Sequence, residues 1–174
     1  ALTVVFSLIY GYISYACAYY GEMITYLGMT APMALLALIR WLRHPFRGNR
    51  AQVQVNRLSR REHVFMWLLT AAVTAGFYFI LRALGTANLL PSTVSVTTSF
   101  LAVYLTFRRS PLYALGYAAN DVVLIVLWLL AARADRDYLS VVVCFAAFLA
   151  NDLYGFINWR RMEKMQTQAC QKSA

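Results

Sequence analysis

Five polar or aromatic side chains interrupt one long apolar stretch near the C-terminal end of this sequence. Asn151, Tyr154 and Asn158 follow one another at helical spacing, so they share one face of a helix, and Asp152 and Trp159 lie on the flanking row. Each polar group left unsatisfied in hydrocarbon costs several kcal/mol, and ionisable residues within a membrane indicate a functional site. We therefore predict that this helix lines the substrate site of a membrane transporter.

A second Asn-Asp pair lies in the preceding apolar stretch. Asn120 and Asp121 are followed by Trp128, which stands seven residues after the aspartate, as in the first pair. Seven residues make about two helical turns, so each aspartate shares a face with its tryptophan. Tyr117, one turn before Asp121, faces either the same cavity or only a neighbouring helix. The predicted substrate-binding residues are Tyr117, Asn120, Asp121, Trp128, Asn151, Asp152, Tyr154, Asn158 and Trp159.

Such a lining suits a small, polar, partly aromatic solute such as a nucleoside. Amide and carboxyl groups hydrogen-bond hydroxyls and carboxamides, whereas indole and phenol rings stack on flat heteroaromatic faces or attract cations. Two alternatives stay open. In the first, the polar groups only tie helices to one another. In the second, Trp159, which precedes Arg160, is an interfacial anchor.

Other classes of function find little support in the sequence. His44 and His63 lie in or beside a hydrophilic loop, and no catalytic or metal-binding spacing is visible. A phosphate-binding loop is also absent from the sequence, so we predict no enzyme, no cofactor and no direct use of ATP. The basic residues flank apolar segments, which argues against a nucleic-acid partner. Cys17, Cys144 and Cys170 are predicted to be small buried apolar residues.

The composition indicates a polytopic, all-α membrane bundle. The 174 residues are 61% hydrophobic, whereas soluble domains contain roughly 45–50%. Pro32 is expected to bend the second span and Gly85 to end the third. Gly21 and Glu22 are expected in a tight turn, and residues 44–61 in a loop. The six predicted spans are residues 2–20, 23–43, 64–84, 91–107, 111–132 and 138–162.

The distribution of basic residues predicts the orientation. Thirteen of the 16 Lys and Arg residues fall on the side of the 44–61 loop and of the C-terminus, and only Arg82, Arg133 and Arg136 fall on the other side. Because cytoplasmic loops carry an excess of Lys and Arg, we predict that the loop and the C-terminus are cytoplasmic.

A weak internal repeat appears when the chain is shifted by 118 residues. Trp41 then aligns with Trp159, and Tyr10 aligns with Trp128, in helices of the same direction. The counterpart of residues 91–107 would precede the first residue, so we expect a seventh span there and a 3+1+3 arrangement. The predicted domains are a first repeat (1–43), a loop and linking helix (44–90), a second repeat (91–165) and a cytoplasmic tail (166–174).

Four runs of sequence resemble the PnuC family of bacterial vitamin transporters. They are ANDLYGFINWRRME, YAANDVVLIVLW, the RRSP turn and YYGEMITYLGMTAP. The resemblance implies a fold of three, one and three helices related to the SWEET sugar transporters. It implies a multi-pass protein of the bacterial inner membrane that takes up nicotinamide riboside for NAD biosynthesis by facilitated transport.

The resemblance also implies partners and roles for individual residues. A cytoplasmic kinase would trap the imported solute by phosphorylation, membrane lipid would surround the bundle, and homo-oligomerisation is left open. Asn120, Asn151 and Asn158 would line the site, with Trp128 and Tyr154 stacking on the substrate.

Asp121 and Asp152 depart from the neutral residues expected in some relatives, which leaves open a preference for a cationic ring or a role for a proton. The first repeat is poor in polar residues, which implies an asymmetric site. Relatives of this fold carry thiamine or riboflavin, so these are alternative substrates. A lipid-modifying enzyme would need a reactive cluster that the sequence lacks, and a structural or regulatory membrane subunit remains the other alternative.

Overall fold

The computed structural model describes residues 2–16, 20–46, 49–86 and 88–171, and this part of the chain is almost entirely helical. The helices are α1 (Leu2–Ala16), α2 (Tyr20–Ile24), α3 (Ala31–Leu42), α4 (Arg60–Ala83), α5 (Leu89–Phe107), α6 (Tyr113–Ala131) and α7 (Leu139–Gln171). A π-helical segment (Thr25–Thr30) joins α2 to α3, and a 3-10 turn (Arg136–Tyr138) precedes α7. Strands β1 (Pro45–Phe46) and β2 (Asn49–Val53) form an antiparallel pair between α3 and α4.

Five helices of the described chain are long and apolar enough to cross a membrane. They are Gly21–Leu42, Arg60–Ala83, Leu89–Phe107, Tyr113–Ala131 and Arg136–Ala169. The first predicted span, α1, is a shorter apolar helix in the described residues. The predicted polytopic helical bundle is thus confirmed. Five of the six predicted spans correspond to helices long enough to cross a membrane.

Pro32, where a bend is predicted, lies just after a change of helix type. Pro32 stands near the start of α3, and the chain is π-helical over the six residues immediately before α3. Proline has no N–H to donate, and its ring clashes with the carbonyl of the preceding turn, so an α-helix cannot continue unchanged through it. The Thr30 hydroxyl donates to the Thr25 carbonyl at 3.1 Å across this segment.

Helix α4 ends where Gly85 predicts, but it begins earlier than predicted. Gly85 has φ of +64° directly after the helix, as expected for a residue that ends one. The helix begins at Arg60, four residues before the predicted start, because Ser59 and Glu62 form a reciprocal capping box. The expected loop between α3 and α4 also contains the two short strands.

Helices α5, α6 and α7 pack side by side, and Gly116 sets the closeness of one of these contacts. A Cβ atom at Gly116 would lie 2.8 Å from the Cα atom of Ala102 on α5, closer than real Cβ contacts allow. Small residues at such contacts let helix backbones approach each other in a membrane. Gly116 therefore keeps α6 near enough to α5 for their polar side chains to meet.

We expect Gly116→Ala to lower the free energy of unfolding by about 1–3 kcal/mol, because the added methyl group meets backbone that cannot rotate away. Gly76→Ala is the matched control, since a Cβ at Gly76 on α4 meets nothing within 4 Å. Thermal unfolding of the detergent-solubilised protein measures both variants. Equal unfolding temperatures for the two would contradict the close α5–α6 contact.

The C-terminal part of α7 is tied to the end of β2 and to the chain that follows it. Gln166 donates from Nε2 to the Val53 carbonyl at 3.0 Å, and its Oε1 accepts from the Val55 amide at 3.0 Å. Glu163, which is 5% exposed, accepts from Arg57 Nε at 2.7 Å and from Arg160 Nη1 at 2.8 Å. These contacts explain why α7 continues to Gln171, beyond the predicted end of the last span at residue 162.

Apolar side chains cover much of the outer surface of the bundle. Val64, Phe65 and Leu68 on α4 are exposed by 58–67%, as expected for side chains that face lipid. Cys144 is also exposed, so the prediction that it is buried is wrong. The side chains of Cys17 and Cys170 lie outside the described residues.

Candidate functional site

A cavity of about 850 Å³ lies within the bundle, between α1, the segment from α2 to α3, and helices α5, α6 and α7. Its wall is partly apolar and partly polar, which is the usual character of a site for a small organic molecule. The polar and aromatic lining residues include Thr3, Ser7, Tyr26, Thr30, Trp41, Ser99, Thr106, Tyr113, Tyr117, Asn120, Asp121, Phe145, Phe148, Asn151 and Asp152.

Asn120 is held in the cavity wall by hydroxyl groups from two other segments. Its Oδ1 atom accepts from Thr98 Oγ1 and from Ser99 Oγ, both on α5 and both at 2.9 Å. Its Nδ2 atom donates to Tyr26 Oη at 3.4 Å. Because these bonds fix the orientation of the amide, Asn120 and Tyr26 present a rigid polar surface to the cavity.

The two predicted aspartates face each other across the α6–α7 contact. The Asp121 and Asp152 carboxyl groups are adjacent and interact directly. Asp121 is 5% exposed, and its Oδ2 atom receives no hydrogen bond from the described residues. Asn151 Nδ2 donates to Asp152 Oδ1 at 3.4 Å. The cavity therefore has one wall with two carboxyl groups and two amides.

Five of the nine predicted site residues line the cavity, and four lie elsewhere. Trp128 is 1% exposed within the apolar core and donates from Nε1 to Tyr10 Oη at 2.8 Å. Trp159 packs against Trp41 and Tyr113, with ring centroids 5.2 and 4.8 Å apart. Tyr154 is 66% exposed on the outer side of α7. Asn158, which is half-buried, is also absent from the lining.

Two aromatic clusters lie towards opposite ends of the cavity. The Trp41 cluster consists of Trp41, Tyr113 and Trp159, and the Trp41 indole donates to the Thr106 carbonyl at 2.8 Å. The Trp128 cluster consists of Tyr10, Tyr26, Trp128 and Phe145. Tyr113 and Trp128 are 15 residues apart on α6, or about 22 Å along the helix axis, with Asn120 and Asp121 between them.

Several cavity or buried polar residues were missed in the sequence. Tyr26 and Ser99 are ordinary membrane-helix residues, and only the fold brings them to Asn120. Glu22, expected in a turn, is instead helical and 3% exposed, so that expectation is wrong. A carboxyl group so close to an apolar segment was a signal that it points inward.

No group of His, Cys, Asp and Glu suited to a metal ion occurs in the described part of the chain. The chemistry available at the cavity is therefore that of hydrogen-bonding amides and hydroxyls, two carboxyl groups and aromatic rings. Such a set can bind and release a solute.

Comparison with known proteins identifies the family that the chain matches. Residues 1–161 match the model of the family described as "Nicotinamide mononucleotide transporter". A curated relative from Neisseria mucosa, the nicotinamide riboside transporter PnuC, is 28% identical over 162 residues. The match covers 90% of this chain and 61% of the relative, so the chain spans less than two thirds of that protein.

A solved structure shares the fold. The crystal structure of the vitamin B3 transporter PnuC superposes with a TM-score of 0.78 at 24% sequence identity. The superposition covers 94% of this chain and 72% of that one.

Proposed function

Since this chain belongs to the nicotinamide mononucleotide transporter family, we propose that it carries nicotinamide riboside across the bacterial inner membrane. The transport is facilitated and does not use ATP. The solute binds near the middle of the membrane, and a cytoplasmic kinase traps it by adding a phosphate group.

The cavity carries this proposal. It measures about 850 Å³, which is ample for a nucleoside, and it combines amides, hydroxyls and aromatic rings from five segments of the bundle. Asn120, Asn151 and Tyr26 offer hydrogen bonds to the carboxamide and ribose hydroxyls, and Tyr113 and Tyr117 offer ring faces. The other four predicted site residues do not line the cavity, so in this proposal they do not contact the solute. They are Trp128, Tyr154, Asn158 and Trp159.

We further propose a 3+1+3 parallel repeat with seven spans in the whole protein, and two contacts support the repeat. Tyr10 hydrogen-bonds Trp128, and Trp41 packs against Trp159. Each pair is 118 residues apart, which is the shift of the internal repeat. When two repeats are related by an axis along the membrane normal, residues near the axis meet their own counterparts. Rocking of one repeat against the other would open the cavity to one side of the membrane at a time.

The distribution of basic residues supports a cytoplasmic C-terminus. Arg57, Arg160 and Glu163 form a charged cluster between α7 and the chain before α4. Arg108, in the turn between α5 and α6, pairs with Glu62 at the start of α4. These charges gather at one end of the bundle, as the positive-inside rule requires of a cytoplasmic face.

Thiamine or riboflavin is the alternative cargo, and a structural or regulatory subunit is the alternative role. Uptake of radiolabelled nicotinamide riboside into proteoliposomes separates them. We expect empty vesicles to equilibrate with the label, and vesicles loaded with a nicotinamide riboside kinase and ATP to accumulate it. Uptake of labelled thiamine or riboflavin alone would replace the cargo, and uptake of none of the three would contradict transport.

A further inference from the structure

We propose that Asp121 and Asp152 act as a charge filter that makes the cavity prefer a cationic aromatic ring over a neutral ring of the same shape. The inference rests on the proposed function, because it concerns the specificity of the same cavity. The ring of nicotinamide riboside is a pyridinium, which carries a permanent positive charge next to its bond to ribose. A filter for that charge would distinguish it from neutral nucleosides.

The position of the two carboxyl groups is the first support. They come from different helices, α6 and α7, yet they are adjacent, and both line the cavity. Asp121 is almost fully buried, and its Oδ2 atom receives no hydrogen bond from the described chain. A buried polar atom without a partner is costly, so a ligand that supplies opposite charge is favoured there.

The absence of a compensating cation is the second support. The described lining contains no Lys, Arg or His side chain. Within the part of the chain that the structure describes, the acidic partners in ion pairs are Glu62 and Glu163, at the end of the bundle that carries the basic cluster. Asp152 accepts from the Asn151 amide at 3.4 Å and is hydrogen-bonded to the Asp121 carboxyl group, and neither partner is a cation. Two carboxyl groups that hydrogen-bond each other share one proton, so the pair keeps a single negative charge, and that charge is left for the solute to balance.

The aromatic wall is the third support. Tyr113, Tyr117, Phe145 and Phe148 line the same cavity as the aspartates. The faces of such rings carry negative potential and attract cations, most strongly where water is excluded. Ring faces and carboxylates therefore act in the same direction, and both favour a flat ring whose positive charge is delocalised.

The test compares two ligands that differ mainly in charge. Nicotinamide riboside is the cation, and benzamide riboside, with carbon in place of the ring nitrogen, is the neutral isostere. We expect the wild-type protein in nanodiscs to bind the cation at least about tenfold more tightly, because a charge pair in a partly dry site outweighs one ordinary hydrogen bond. Asp121→Asn and Asp152→Asn should each reduce that ratio, and the double variant should bring it close to one.

Thermal unfolding in the same nanodiscs shows whether each variant is folded, independently of either ligand. Asp137→Asn is the matched control, because Asp137 is exposed in the turn before α7 and loses the same charge outside the cavity. Equal binding of the two ribosides by wild type, or an unchanged ratio in the double variant, would overturn the inference while leaving the proposed cargo in place. Binding of neither riboside by folded wild-type protein would instead contradict the proposed function.

Discussion

Asn120→Ala is expected to lower nicotinamide riboside uptake by at least about tenfold. The change removes an amide that lines the cavity, and it also leaves Thr98, Ser99 and Tyr26 without their shared partner. A site built to hydrogen-bond its ligand loses affinity steeply when its polar groups are left unpaired. The measurement is the initial rate of uptake into proteoliposomes at a solute concentration below saturation.

Asn56→Ala is the matched control for that variant. Asn56 also donates through its amide, to the Arg108 carbonyl at 3.3 Å, but it lies in the segment before α4 and away from the cavity. Its uptake should remain within about twofold of wild type. Ser99→Ala should fall between the two, because Thr98 still donates to Asn120. If Asn120→Ala and Asn56→Ala reduce uptake equally, the amide of Asn120 has no special part in binding.

Trp128→Ala is expected to lower the free energy of unfolding by about 3–5 kcal/mol, the usual range for truncating a buried aromatic residue. Trp128 is 1% exposed, lies against Leu124, Leu127 and Phe145, and donates to Tyr10 Oη. The alanine would leave a void in the Trp128 cluster and a tyrosine hydroxyl without that donor. Thermal or denaturant unfolding in detergent measures the effect.

Trp67→Ala makes the same substitution on the outer surface of the bundle. Trp67 is 57% exposed on α4, so its removal should change the unfolding free energy by less than about 1 kcal/mol. Trp128→Phe should recover part of the loss, because it refills most of the space but cannot donate to Tyr10. A Trp128→Ala protein as stable as Trp67→Ala would contradict the description of Trp128 as a core residue.

The sequence predicts the membrane spans well because hydrocarbon imposes one simple rule. Each span must be apolar and must satisfy its own backbone, so hydropathy alone finds α4, α5 and α6 to within a few residues. The resemblance to the PnuC family is confirmed by the family match over residues 1–161. The features that were missed depend on local bonding, such as the capping box of Ser59 and Glu62.

Five of the nine residues predicted for the site line the cavity, and helix geometry explains why some of the others do not. On α7 the expected face was that of Asn151, Tyr154 and Asn158, but of these only Asn151 lines the cavity, together with Phe145, Phe148 and Asp152. Adjacent residues differ by about 100° around a helix, so a face displaced by one residue sends Tyr154 to the outside. Periodicity gives the members of a face but does not tell which face meets the other helices.

Trp128 shows a second limit of the sequence. It does share a face with Asp121, as the seven-residue spacing predicts, but two turns separate the residues by about 10 Å along α6. At that level the space is filled by Tyr10 and Phe145, so the indole lies in packed core. Only the positions of other helices reveal where the cavity ends.

A structure determined with bound nicotinamide riboside is the most direct test of the central claim that polar side chains in the bundle interior surround a solute. We predict density for a flat ring and a ribose between α6 and α7, with the carboxamide or the ribose hydroxyls within hydrogen-bonding distance of Asn120 or Asn151. We also expect the ring near the Asp121 and Asp152 carboxyl groups. Density elsewhere, or an interior in which these groups bond only to one another and leave no space, would contradict it.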